Sequence, residues 1–276
     1  MTTNKQAKLG VLGFGDLGQR LFKLVADRYR CIALSRSDKP GPWQWRQTDA
    51  SHSQSLAAAI SDLDYLVISM VPQERSERGY QQAYIKPIKD LIALGQDGVA
   101  LPFIIFVSST SVMHQNQGEW VDERSPCQPQ KYNGQCLMAA ETLLQDSSLN
   151  FTVLRFSGIY GPGRHRLIKM AQDNIGIAKA EHWTNRIHAD DCAGVLAHLI
   201  EIKANRELFI GSDQQPACDA EVKQFIALRL GLAKPQLSEP GLGGKRCRNQ
   251  KLLDSGYQFI YPGYQEGYKK IIKEML

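Results

Sequence analysis

The chain has 276 residues, 43% of them hydrophobic and 22% charged, a globular balance that excludes disordered, fibrous and disulfide-scaffold classes. The formal net charge of +5 is spread along the chain with no basic block, so no nucleic-acid partner is expected. At about 150 residues per domain, the length predicts one large domain or a large one with a small appendage.

The polar amino-terminal stretch runs directly into a strand, and no segment approaches the roughly 20 apolar residues of a membrane span. A cytoplasmic protein with no membrane association is expected. The six cysteines show no C-x-x-C spacing and read as reduced thiols. The histidines are too scattered for H-x-x-x-H or H-E-x-x-H, so no metal site is expected.

Apolar runs of strand length fall at Leu9–Leu12, Cys31–Leu34, Tyr65–Ser69, Phe103–Val107 and Phe151–Leu154, each with the character of a strand buried on both faces. Between them Leu17, Leu21, Leu24 and Val25 repeat with helical spacing, as do Cys136, Ala139, Ala140, Leu143 and Leu144. This alternation predicts an α/β fold, a doubly wound parallel sheet whose ligands sit beyond the carboxyl ends of the strands. After Leu154 the pattern loosens. Gly158, Gly161, Pro162 and Gly163 share a loop; a helical stretch, a strand at Leu208–Ile210 and a helix at Glu221–Leu230 follow. A Gly/Pro turn at Pro240–Gly244 then leads to an aromatic end from Tyr257 to Tyr268. The predicted division is residues 1–163 with about 187–215 as a dinucleotide-binding domain, and about 164–186 with 216–276 as a smaller substrate lobe.

Gly13-Phe14-Gly15-Asp16-Leu17-Gly18 fits G-x-G-x-x-G, with the first strand directly before it and the amphipathic helix directly after. In that setting the glycines allow a tight turn, approach of a pyrophosphate and close helix packing, and the helix start offers N–H donors to the anion. Asp16 is awkward beside a phosphate and is expected to cap the helix instead. Where a carboxylate would grip a ribose hydroxyl after the second strand, the chain has Ser35-Arg36-Ser37. Arginine flanked by hydroxyls suits a 2′-phosphate, which favours NADP over NAD, with Asp38 arguing the other way.

Further on come Phe106-Val107-Ser108-Ser109-Thr110-Ser111-Val112, then Leu154-Arg155-Phe156-Ser157-Gly158-Ile159-Tyr160-Gly161-Pro162-Gly163, then Ile187-His188-Ala189-Asp190-Asp191-Cys192-Ala193. Together with the glycine loop these resemble the extended short-chain dehydrogenase/reductase family, the NAD(P)-dependent epimerases and dehydratases with a Rossmann fold. The resemblance implies hydride exchange between a nicotinamide and a substrate carbon bearing oxygen, with a serine holding the oxygen, a tyrosine moving the proton and a lysine four residues later assisting it. It places Ser109 in the serine role. Ser69, Val71, Ser108 and Ser157, with Arg36 and the glycine loop, are the candidate cofactor contacts.

The tyrosine and lysine do not carry over whole. Anchoring on Tyr132 puts Cys136 at the lysine position; anchoring on Gly134 and Glu141 puts Asn133 at the tyrosine position and Leu137 at the lysine position. Neither register keeps a lysine, and a phenol with pKa near 10 is only about 0.1% ionised at pH 7. Tyr132 shares the stripe of Cys136 and Ala140, so a buried core aromatic is the competing role for it. His114 stands where the family has a glycine and is a candidate acid or base. Ser111, His114, Arg164 and Arg186 are the candidate substrate contacts, with Thr184 where sugar-nucleotide members of the family carry an arginine. Asp191 is expected to cap a helix at Cys192–Ile200.

The resemblance also implies a homodimer through long helices, here near Ser76–Leu94 and Tyr132–Leu144, the first interrupted by Pro87. Two functions stay open: an NAD(P)-dependent oxidoreductase or epimerase acting on a small hydroxyl- or carbonyl-bearing substrate, or an NADP-binding regulatory protein in which catalysis lapsed with the lysine.

Overall fold

Strand and helix alternate along the computed structural model, which describes residues 6–173, 178–238 and 241–275. Pro240, first residue of the expected Gly/Pro turn, lies outside the described residues. In chain order the first half runs β1 (Lys8–Leu12), α1 (Asp16–Val25), β2 (Arg30–Ser35), β3 (Gln44–Gln47), α2 (Ser53–Ile60), β4 (Tyr65–Ile68), α3 (Glu77–Tyr80), a π-helical turn (Gln81–Ile85), α4 (Lys86–Gln96), β5 (Phe103–Ser109) and a 3₁₀ turn (Thr110–Val112). There follow β6 (Glu119–Val121), α5 (Tyr132–Asp146), β7 (Phe151–Phe156), β8 (Gly158–Tyr160), α6 (Arg166–Gln172), β9 (His182–Thr184), β10 (Arg186–His188) and α7 (Ala189–Ile202). The chain closes with β11 (Glu207–Gly211), β12 (Ala217–Cys218), α8 (Asp219–Arg229), β13 (Gly243–Cys247), α9 (Gln250–Asp254) and α10 (Tyr264–Met275).

The main sheet has seven strands in the order β11-β7-β5-β4-β1-β2-β3, with parallel registers from β3 through β5, such as Leu9 opposite both Cys31 and Tyr65. The order reverses beside β1, the switch point at which doubly wound sheets bind ligands. Every residue of β4 and β7 is buried, as in strands covered on both faces. Helix α1 covers the sheet with Leu17, Leu21, Phe22 and Val25, side chains whose burial contributes about 1.5–3 kcal/mol each.

Contacts divide the chain into two units. One comprises residues up to Met113, Cys127–Arg155 and Ala193–Leu208; the other comprises His114–Pro126, Phe156–Cys192 and Phe209–Leu276. These units depart from the expected division in four places, since residues 114–126, 156–163, 187–192 and 209–215 group with the second unit. The reason is strand pairing: β6 pairs with β13 in a four-stranded sheet, β12-β9-β13-β6, and β8 pairs with β10. Three-residue strands of mixed polarity leave almost no periodic signal. The aromatic end is half helical, with Tyr264, Tyr268, Ile271 and Ile272 of α10 packing with Tyr160, Ile168, Val222 and Ile226 in the core of that unit.

Pro87 does not interrupt its helix. The π-helical turn widens the backbone just before it, the Lys86 N–H reaching back to the Gln81 carbonyl, and α4 continues through the proline. A proline ring clashes with a carbonyl one α-turn earlier; the wider turn relieves that demand. Among the described residues no helix is long and apolar enough to cross a membrane.

Candidate functional site

The turn after β1 sets the geometry of the first unit's crevice. Gly13 has φ of +80°, and a Cβ there would lie 2.6 Å from the Ser69 carbonyl oxygen, so only glycine fits this crossing of β1 and β4. Ser69 donates its N–H to the Leu12 carbonyl at 2.9 Å, and the Gly13 N–H reaches Leu34 at 3.2 Å, so the loop is tied to both neighbouring strands. Phe14 rests on Phe22 and Trp43 with ring centroids about 5 Å apart, and Gly18 gives that ring room. Gly15 faces open space: the atom nearest to an added Cβ is 3.9 Å away.

Gly15 is the N-cap of α1 and makes no side-chain capping bond. The first N–H groups of a helix have no acceptor within it, so this helix start presents uncapped donors and the positive end of its dipole. Asp16 departs from expectation, lying inside the first turn of α1 with its carboxylate accepting from Arg20 Nε at 2.9 Å instead of capping.

These groups open into a cavity of about 690 Å³ lined by Gly13, Phe14 and Gly15, by Ser35, Arg36, Ser37 and Lys39 after β2, by Thr48–Ser51 after β3, and by Met70 and Val71 after β4. The volume falls in the ordinary range for cofactor sites. Arg36 and Lys39, in the segment after β2, put two cations in the lining. The Asp49 carboxylate in the same wall is held below its ordinary pKa by hydrogen bonds from the Ser51 side chain and N–H. Asp16, Leu17, Gly18 and Ser69 shape the turn without lining the cavity, and Ser108 turns inward. Lys39 and the Thr48–Ser51 wall are missing from the sequence reading because β3, Gln-Trp-Arg-Gln, is too polar to register as a strand.

A second cavity of about 600 Å³ meets the first at Val71 and is lined by Pro72, Arg75, Tyr80, Tyr84 and residues 130–133. Tyr132 stands at its edge as the first residue of α5, 37% exposed, donating its hydroxyl to the Arg75 carbonyl at 2.8 Å and meeting Tyr80 edge-on. The buried-core role for Tyr132 is therefore corrected: the helical stripe begins at Cys136, one turn further on, and position 132 precedes the packed part of the helix. Asn133 lines the same cavity. Burial pushes the Tyr84 phenol up to about 12, with Tyr80 adding to the effect; of the three phenols in this lining, Tyr132 is the most exposed.

Gly134 explains why this helix start sits where it does. A Cβ there would come within 2.6 Å of the Ser111 carbonyl, so α5 is seated directly on the 3₁₀ turn that follows β5. Ser109 accepts the Ser111 N–H at 3.1 Å as cap of that turn; Ser109 and Ser111 line neither cavity. Beneath them lies a buried ionic network. The Ser108 hydroxyl donates to Glu141 at 2.5 Å, and Arg155 donates to the same carboxylate from Nε and Nη2. Glu141 is fully buried and Arg155 is 3% exposed. Cys136 and Leu137, where a lysine would stand, are both buried.

The remaining candidates belong to the second unit. His114 and Arg164 are exposed, and the His114 charge helps hold Glu119 below its ordinary pKa, behind the backbone N–H groups of Gln117 and Glu119. Ser157 is buried, its N–H donating to the Gly211 carbonyl at 3.0 Å. Arg186 is buried too, donating to Thr184 at 2.5 Å and lying 5.3 Å from the Tyr264 ring. Asp191 is not a helix cap. It is the third residue of α7, fully buried, and its carboxylate accepts the Tyr257 hydroxyl and the N–H groups of Ile260 and Tyr261. Among the described residues no group of three or more His, Cys, Asp or Glu could hold a metal.

No protein-family model matches the chain. Protein YeeZ of Escherichia coli is 32% identical over 92% of this chain and 96% of its own length. A proposed NAD-dependent epimerase/dehydratase from Methylobacillus flagellatus is 34% identical, with a TM-score of 0.82 over 98% of this chain and 99% of that one. The human epimerase family protein SDR39U1, solved with NADPH, shares the fold at 19% identity, with a TM-score of 0.77 over 96% of this chain and 99% of that one.

Proposed function

Because the chain belongs to the extended short-chain dehydrogenase/reductase family, we propose that its 690 Å³ cavity binds a nicotinamide dinucleotide, NADPH in preference to NADH, for oxidoreductase or epimerase chemistry. The reading is carried by the uncapped start of α1 opening beside the empty shoulder of Gly15. A diphosphate needs that combination of donors and room. Arg36 and Lys39 are the groups to hold a 2′-phosphate, and the same preference is consistent with NADPH in the human relative. When bound, the nicotinamide supplies hydride exchange with a carbon bearing oxygen.

The substrate, a small hydroxyl- or carbonyl-bearing molecule, enters the second cavity. Tyr132 there is the proton donor, released from the Arg75 carbonyl to reach a substrate oxygen, and Asn133 holds that oxygen by hydrogen bonding. Screening carbonyl compounds with NADPH should show turnover that falls at least tenfold in Tyr132→Phe. Turnover unchanged in Tyr132→Phe and Asn133→Ala would remove this assignment.

One observation favours a second reading, a coenzyme-binding regulatory protein. Both residues at the lysine position, Cys136 and Leu137, are buried in the helix packing, so no ammonium stands one helical turn after the phenol. Coenzyme binding without turnover on any screened carbonyl is what this reading predicts.

A further inference from the structure

The second cavity, of about 600 Å³, differs from the first in its charge. In the first, Arg36, Lys39 and Arg78 share the lining with Asp49 and Glu74, so cations and carboxylates are mixed. The second has Arg75 and Lys131 in its lining and, among the described residues, no aspartate or glutamate. Neither cation makes an ion pair among the described residues. The carboxylates next along the chain are engaged elsewhere: Glu74 accepts from the Ser76 hydroxyl at 3.5 Å, and Glu77 from Gln81 Nε2 at 3.2 Å.

Both cations stand beside the phenol assigned to proton transfer. The Tyr132 hydroxyl lies 2.8 Å from the Arg75 carbonyl, and Lys131 is the residue directly before Tyr132. A ligand oxygen at Tyr132 therefore brings the next few carbons of that ligand within a side chain's reach of both charges. The other polar groups of the cavity are neutral. Tyr84 commits its hydroxyl to the Met70 carbonyl at 3.1 Å, and the Tyr80 and Tyr84 rings, 5.6 Å apart, give the lining an aromatic wall. Cations gathered in a concave site without carboxylates draw an anion into it. Arginine meets the paired oxygens of a carboxylate or phosphate with its planar fork, and lysine adds a point charge.

We propose that the substrate is anionic, a small oxo or hydroxy compound bearing a carboxylate or phosphate a few carbons from its reacting oxygen, with Arg75 and Lys131 holding that group. This rests on the reading of the second cavity as the substrate site. The two cations decide which compounds are taken, and Tyr132 and Asn133 act on the oxygen.

The test footprints arginines in the full chain. Phenylglyoxal modifies exposed guanidinium groups, Arg75 among them, and mass spectrometry maps the sites. At millimolar concentration 2-oxobutanoate is compared with butanone, and dihydroxyacetone phosphate with dihydroxyacetone. At least one anion should slow modification of Arg75 by about fivefold or more, and its neutral partner by less than about twofold. The anion that protects tells a carboxylate from a phosphate site. Arg78, in the lining of the first cavity, is the control. Lys131→Gln, at an exposed position, should weaken the protection by about threefold or more. No protection by either anion, equal protection by the neutral partners, equal slowing at Arg78, or undiminished protection in Lys131→Gln would each overturn the proposal. Arg75 protected by an anion while Tyr132→Phe keeps full turnover would uphold the anion site and remove the proton-transfer role. A tenfold loss of turnover in Tyr132→Phe without protection of Arg75 would do the reverse.

Discussion

Replacing Glu141 by glutamine probes the buried network beneath the candidate site. The substitution keeps the shape and removes the charge, stranding the Arg155 guanidinium at 3% exposure. Removing one partner of a buried pair costs about 3–5 kcal/mol, most of it the uncompensated charge left behind. Glutamine retains one oxygen to accept from Nη2, so the loss should sit near the lower end, about 3 kcal/mol, out of a total stability of about 5–15 kcal/mol. Urea unfolding followed by circular dichroism reads this as a lower midpoint at unchanged slope. The companion test is Glu141→Leu with Arg155→Met, which removes both charges and should lose far less than the two single variants summed. A Glu141→Gln protein within about 1 kcal/mol of the unmodified chain, or additive losses in the pair, would refute the argument.

Two further predictions concern the second unit and coenzyme choice. Burial pushes the Asp213 carboxyl up to about 7 against the opposing pull of Arg186, from an unfolded value near 4. The folded state holds that proton more tightly, so the stability it confers is complete below about pH 4 and is lost as pH rises through about 7. Urea midpoints of the unmodified chain should therefore decline between pH 5 and 7.5 more steeply than those of Asp213→Asn; parallel declines would contradict the assignment. Arg36→Ala should weaken NADPH by about ten- to a hundredfold, the worth of a charged hydrogen bond, and leave NADH within a few fold by calorimetry. Comparable weakening of both would remove the 2′-phosphate contact.

The central sheet was legible because its strands are buried on both faces, so Leu9–Leu12, Tyr65–Ser69 and Phe151–Leu154 stand out as apolar runs. The glycine loop was legible because its function is a backbone property written directly as Gly13 and Gly15. What escaped is what tertiary contact decides. The polar strand Gln44–Gln47 gains its identity only from pairing with β2, and with it Lys39 and Thr48–Ser51 went unseen. Asp191 looked like a helix cap because it stands at a predicted helix start; its partners, Tyr257, Ile260 and Tyr261, lie about seventy residues away in sequence. Tyr132 follows the same rule in reverse, since its stripe continues into the core while the side chain itself begins the helix outside it. Pro87 shows that a strong local rule yields when a π-helical turn supplies the room.

Calorimetric titration of NADPH and NADH into the unmodified chain and into Gly15→Asp tests the account most directly. Gly15 has extended backbone at φ of −128° and open space around its Cβ position, and aspartate is a favoured N-cap. The variant should melt at or above the temperature of the unmodified chain while losing coenzyme binding, because a carboxylate then stands where the diphosphate would lie. Saturable binding of at least one coenzyme to the unmodified chain, abolished in Gly15→Asp, is the predicted result. Failure of both coenzymes to bind the unmodified chain, or equal binding by the variant, would contradict it.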